Sequence, residues 1–345
     1  MSGRGSRKLY YALGILLGMG AVAGTALMAY FSCRTQEVYI VLGAAVVCLL
    51  LFSPAVLVHE LGHLLFGAVS GLRFPSVTIG HVNFSRRGVK FTMQSFAAGM
   101  SAVYPTSCKR VRAKYFICAL GGGICNLLYG GVFLALYFLL PCYPALLFFE
   151  LFAPLSLYEG IMALCPFTLP SGKTDGQVLY ELTKNTAYAQ NVLAVLSAQG
   201  HLYRGTYSDI SYQALFDLPV IREDDLVFIA LLSLQWRHLY QAGRGAEAEK
   251  LLLRLNSLAE YLPKGEGETI ECDLALVRFL EEGVLSPAPV AEGPAAAILR
   301  FLNKEGTRET AEREIKKEVL YGERKFYTEL LERGAKESNH TGAEE

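Results

Sequence analysis

A mainly α-helical, polytopic membrane protein with a separate soluble helical region is predicted by three observations. Apolar stretches long enough to cross a bilayer crowd the first half, hydropathy falls and helical periodicity takes over after about residue 186, and charge divides between the halves. The 345 residues are neutral overall, with 32 basic and 32 acidic side chains. Residues 1–185 nevertheless hold 14 Lys/Arg against 6 Asp/Glu, and residues 186–345 hold 18 against 26, so the halves carry +8 and −8. Such asymmetry implies regions in different surroundings: a membrane domain over 1–185, a cytoplasmic helical domain over 186–337 and a disordered acidic tail over 338–345.

A crossing takes roughly 20 residues, and four are read, at about 9–31, 38–69, 115–140 and 145–165. The first is too long for the apolar core of a removable signal peptide and lacks a small-residue cleavage site, so it is an anchor. The second, of 32 residues, would run about 48 Å as one straight helix, which predicts a tilt, or a kink or break at Pro54. Arg4, Arg7 and Lys8 precede the first span, and residues 71–114 contain eight basic side chains and no acidic one. The excess of short-loop basic residues places this segment and both chain ends in the cytoplasm. The compact four-span layout suggests a multi-pass protein of a bacterial plasma membrane.

Between the second and third spans, FPSVTIGHVNFSRRGVKFTM reads as a short β-hairpin turning at Ser-Arg-Arg-Gly, with Val, Ile and Phe supplying strand propensity. It could anchor to the membrane surface through its basic residues or offer an edge to an extended peptide. In the C-terminal region, residues 225–241 and 246–261 read as an antiparallel helix pair around Gly-Arg-Gly, the unit of tetratricopeptide-type scaffolds, followed by a stretch around Cys272 to Gly283 and a charged helix over 307–334. A protein partner for this domain is expected, and no nucleic-acid partner. The eight cysteines show no CxxC spacing and four lie within apolar spans, so they read as small buried hydrophobes.

Chemistry concentrates in HELGH. On a helix His59 and His63, four apart, project from one face and can bind one zinc ion, with Glu60 beside them to take a proton from metal-bound water. Zinc lowers the pKa of that water towards ~7. Three titratable groups within five residues of an apolar span are costly unless paired or metal-bound, which favours a site over a chance match. A catalytic zinc needs a third protein ligand, for which His81, Glu150, Glu159 and Asp175 are candidates. HELGH lies towards the cytoplasmic end of its span; Asp175 follows the fourth span and can fold back to that depth through Pro166, Pro170 and Gly172, whereas Glu159 lies nearer mid-membrane and Glu150 nearer the outer face.

HELGH in an apolar helix, the later ALGGGICNLL with Gly121, Gly122, Gly123 and Asn126, and the distant Asp175-Gly176 together resemble the site-2 protease family of intramembrane zinc metalloproteases, over roughly residues 38–185. The resemblance implies Asp175 as third zinc ligand, one Zn2+ per chain and a substrate that is a single-span or membrane-associated protein. It also directs attention to Asn126, a candidate catalytic group that can hydrogen-bond an extended substrate or a tetrahedral oxyanion, while the glycines permit close helix packing. The chain departs from the family in reading Ala163-Leu164-Cys165-Pro166 where many relatives place Asn-Leu before the proline, and in its long Pro-to-Asp spacing. The expected function is therefore a zinc-dependent intramembrane endopeptidase with Glu60 as general base. A catalytically silent regulator of the same fold is the alternative, disfavoured by the intact set of four; a zinc transporter would distribute its ligands along several spans.

Overall fold

The computed structural model describes residues 3–32, 39–43, 45–46, 54–85, 88–91, 99–140, 144–169, 172–262, 266–287 and 291–341. It forms two compact units: Met1–Tyr104 with Arg112–Lys184, and Pro105–Val111 with Asn185–Glu345.

The first unit opens with α1 (Gly3–Ser32), which exposes Ile15, Leu16, Met19, Val22 and Leu27. A helix apolar on its outward faces suits hydrocarbon rather than water. It packs on α5 through small residues: Gly18 meets the Tyr158 ring and Gly24 meets Pro154. Helix α2 (Pro54–Ser70) begins at the proline, whose fixed φ and missing N–H suit the first turn. Much of the expected span 38–69 before Pro54, residues 47–53 included, lies outside the described residues. Helix α3 (Val111–Leu139) covers the expected third span. The expected fourth span is not one unbroken helix: α4 (Pro144–Glu150) gives way to α5 (Ala153–Leu164). Leu151 N still donates to the Leu147 carbonyl, but Phe152 N reaches back only to Phe149, at 3.3 Å, and Pro154 has no N–H for the Glu150 carbonyl, so the regular ladder lapses there. Among the described residues three helical stretches are long and apolar enough to cross a membrane, Ala12–Ser32, Val111–Leu139 and, taken through the α4–α5 junction, Leu146–Leu164, with Pro54–Ser70 shorter.

Where one hairpin was expected, a four-stranded sheet forms in the order β3-β2-β1-β4, from β1 (Leu72–Ile79), β2 (Val82–Ser85), β3 (Gly88–Phe91) and β4 (Gly99–Pro105). Gly80, at φ 56°, and His81 close a tight turn between antiparallel β1 and β2, pairing Ile79 with Val82. β2 and β3 are antiparallel around the Ser-Arg-Arg-Gly turn, whose arginines lie outside the described residues. Alternation puts Val77 and Ile79 against Val56, Leu57 and Leu64 of α2, which fixes the sheet beside the HELGH helix. A second antiparallel pair, β5 (Thr168–Leu169) and β6 (Gly172–Lys173), leads into α6 (Asp175–Lys184).

The second unit is helical: α7 (Ala187–Leu202), α8 (Tyr212–Phe216), α9 (Leu226–Gln241), α10 (Gly245–Ser257), α11 (Glu266–Glu282), α12 (Pro294–Leu302), α13 (Arg308–Lys316) and α14 (Tyr321–Thr341). Side-chain caps start three of these helices, Thr186 accepting from Ala189 N, Asp225 from Val227 N and Thr307 from Thr310 N. Helices α9 to α14 each pack on the next, and α14 returns against α7, α11 and α12. The expected pair appears as α9 and α10, turning at Gly243 with φ 75°. The helix expected over 307–334 is two: Ile315 and Leu320 are buried on either side of the turn before α14, and Phe326 of α14 packs edge-on against Trp236 and Tyr207. α14 continues to Thr341, into the segment expected to be disordered; residues 342–345 lie outside the described residues.

Candidate metal centre

Helix α2 presents His59 and His63 four residues apart, and their Nε2 atoms lie 3.1 Å from one another. Asp175, at the start of α6, brings Oδ2 to 3.0 Å from His59 Nε2 and 3.3 Å from His63 Nε2. Among the described residues these three make the one group of His, Cys, Asp or Glu ligand atoms that could hold a metal. Atoms bound tetrahedrally to zinc at its usual ligand distances stand roughly 3.3 Å apart, which the triangle matches closely. Asp175 Oδ2 is buried and makes no aligned hydrogen bond despite its two imidazole neighbours. An anionic oxygen left without a donor and facing two nitrogen lone-pair positions fits a cation.

The back sides of the rings are held. His63 Nδ1 lies 2.8 Å from the Cys118 carbonyl of α3, so Nδ1–H donates there and Nε2 keeps its lone pair. His59 Nδ1 faces the amide of Asn126, 3.4 Å away, and Ser156 of α5 donates to Asn126 Oδ1 at 3.1 Å. Exchanging the amide nitrogen and oxygen of Asn126 lets its oxygen accept from His59 Nδ1–H and its nitrogen donate to Ser156, satisfying all three groups. Asn126 is wholly buried, at 0% exposure, behind His59. Asn126 reaches His59 from α3, the helix that also sets Gly122 beside the Nε2 atoms of both imidazoles.

Gly122 makes the imidazole cluster sterically feasible. A Cβ there would stand 2.6 Å from His63 Nε2 and 2.8 Å from His59 Nε2. Its neighbours serve helix contact: a Cβ on Gly121 would stand 2.6 Å from the Gly62 carbonyl, and one on Gly123 2.5 Å from Leu164 Cγ. Gly176 lets α6 approach the Leu164 carbonyl, where any side chain would collide. The long Pro-to-Asp spacing is taken up by the β5–β6 pair, which Thr174 ties down by donating to the Cys165 carbonyl at 2.7 Å and accepting from Gln177 N at 3.2 Å, a cap on the helix that starts at Asp175.

The family model for peptidase family M50 matches residues 47–309, most of the chain and both elements of this cluster. The chain belongs to peptidase family M50. No curated protein and no solved structure matches it. Membership in M50, the site-2 protease family, carries protease activity as a general property and zinc dependence as the usual one, and it agrees with the membrane helices.

In this M50 chain Glu60 is 3% exposed and lines a cavity of about 1350 Å³ bounded by α1, α2, β4, α3 and α5, together with Ser101, Tyr158, Glu159 and Asp175. Ser101 donates to Glu60 Oε2. Glu159 lines the cavity without joining the ligand cluster; Glu150 ends α4, and His81 sits in the β1–β2 turn. Cys118, Gly122, Ser156 and Ser101 act through contacts 30 or more residues away, which no local spacing encodes, whereas Thr174, a helix cap beside Asp175, does carry a local signal.

Proposed function

We propose that the protein is a zinc-dependent intramembrane endopeptidase. His59, His63 and Asp175 hold the metal, and Glu60 acts as general base. The convergence of Asp175 Oδ2 with two imidazole nitrogens, at 3.0 and 3.3 Å, carries the proposal. A zinc ion bound there supplies the Lewis acidity that brings water's pKa towards neutrality. Glu60, adjacent to His59 and facing the same cavity, takes the proton of the attacking water and passes it to the leaving amine. Asn126 is assigned a positioning role, orienting His59 through Nδ1, in place of direct contact with substrate.

The substrate class is a single-span or membrane-associated protein whose cleaved segment is extended. β4 borders Glu60, so the sheet edge at β4 is where a peptide strand would lie beside the site; β3 is the opposite edge. The short-loop charge pattern supports cytoplasmic chain ends, and the compact four-span layout a bacterial plasma membrane; the second of the four crossings takes in α2 and the chain before Pro54. The second unit acts as a cytoplasmic partner-binding module; successive packing of α9 to α13 supports tetratricopeptide-like character.

The test is purification of the detergent-solubilised protein, with measurement of bound zinc and cleavage of single-span fusion proteins by wild type and Glu60→Gln. Expected are one zinc per chain in both proteins and cleavage by wild type only. A well-folded preparation without zinc, or a Glu60→Gln variant that cleaves as well as wild type, defeats the reading.

A further inference from the structure

Glu60 reaches the cavity from α2, and what it meets there is β4. A strand turns alternate residues to one face, and Gly99, Ser101 and Val103, the alternating set, all line the cavity. Two of them face Glu60. Ser101 Oγ donates to Glu60 Oε2 and is the donor recorded for this carboxylate among the described residues. Beside Oε1 stands Gly99, at a position where any Cβ would collide with the carboxylate. One oxygen is therefore anchored by a hydroxyl, and the missing Cβ at Gly99 leaves the carboxylate the room it occupies, with Oε1 given no such donor.

We propose that β4 orients the general base: the Ser101 hydroxyl holds Glu60 Oε2 and leaves Oε1, opposite Gly99, as the oxygen that accepts the proton of the attacking water. Ser101 is a positioning residue, acting through Glu60 and not on the substrate. This rests on the reading of Glu60 as the base. A glutamate side chain has three rotatable bonds, and in an apolar cavity an unanchored carboxylate would turn to whichever polar group is nearest, the imidazoles included. An anchoring hydroxyl selects one orientation in advance, which lowers the barrier without altering ground-state binding. The alternative, that β4 merely fills space against α2, predicts sensitivity to volume but indifference to the hydroxyl.

The experiment uses the full-length protein in detergent and a reporter chosen from a panel of single-span fusion proteins because wild type cleaves it. Ser101→Ala is expected to lower kcat by about 10- to 100-fold, the scale of a hydrogen bond to a charged group, with KM and zinc content unchanged. Ser101→Thr keeps the hydroxyl and is expected to retain kcat within a few-fold of wild type, whereas Ser101→Cys, close in size but a weak donor, should resemble alanine. Wild-type kcat in Ser101→Ala overturns the proposal. Loss of zinc, a change confined to KM, or a cysteine variant as active as the threonine one also overturns it, since each marks a packing role. Glu60→Gln run alongside separates the two levels: if it cleaves normally, the base assignment itself has failed, whatever Ser101 does.

Discussion

Replacing Gly122 by alanine tests whether the candidate metal cluster depends on clearance provided by α3. The added methyl would stand 2.6 Å from His63 Nε2, 2.7 Å from His59 Cε1 and 2.8 Å from His59 Nε2, where ordinary contact starts near 3.4 Å. The rings would have to retreat by roughly 0.6 to 0.8 Å. Zinc tolerates ligand displacements of only about 0.2 Å. Moving the helices apart instead would open the crossing at Gly62 and Gly121, where each backbone already touches the other. Either route weakens two ligands together, and a loss of zinc affinity of at least ~100-fold, about 2.7 kcal/mol, is expected. The assay is titration of the purified protein with a chelator, read as zinc retained per chain. Gly131→Ala is the control, on the same helix with nothing within 4 Å of its added Cβ. A Gly122→Ala variant that holds zinc against the chelator as wild type does would refute the steric argument.

Asp175→Ala should abolish zinc retention while Glu159→Ala keeps it, because only the former belongs to the ligand cluster; the opposite result in metal analysis would move the site. Gly176→Ala should reduce zinc content as well, since its Cβ meets the Leu164 carbonyl and pushes the start of α6 outward. In the second unit, Asp273 pairs with Arg237 at 3.0 Å and accepts from Tyr327, and Asp273→Asn leaves a buried guanidinium without its counter-charge. A loss of about 3–5 kcal/mol is expected, readable in denaturant unfolding through Trp236, the one tryptophan of the chain, buried in that core. Burial pushes the Glu323 carboxyl from its usual value near 4.5 up to about 7. The folded form thus keeps its proton to higher pH than the unfolded form, so this group's contribution to stability is present at low pH and is lost as pH rises from about 4.5 through about 7. Glu323→Gln should flatten that slope in the same fluorescence assay, and an unchanged slope would exclude Glu323 as its source.

Much of the architecture could be read from the chain because it is written in local patterns. Apolar run length marks α1 and α3, the 3.6-residue period marks α9 and α10, and the i, i+4 spacing of His59 and His63 fixes their common face whatever packs around them. Elements set by competition between contacts were not legible in the same way. Residues 72–105 carry strand propensity, yet whether they make two strands or four depends on Val77 and Ile79 finding the apolar flank of α2. The break inside the fourth span follows from a missing N–H at Pro154, whose consequence for the Glu150 carbonyl appears only once the helix is built.

By itself, then, the sequence determined the His59–His63 pair on one helix face, Glu60 beside it, the apolar helices around them and an acidic residue able to fold back towards them. Tertiary structure decided how those groups meet. It brings Asp175 Oδ2 within 3.3 Å of both imidazoles, empties the space they need at Gly122, and turns Asn126 to the back of His59. It also lays β4 along Glu60, with Ser101 on one carboxylate oxygen and Gly99 beside the other. The physical reason is range. Helical periodicity and hydropathy act over a few residues, whereas a metal site and an oriented carboxylate require atoms 41 to 116 positions apart to agree within a few tenths of an ångström, which only packing can impose.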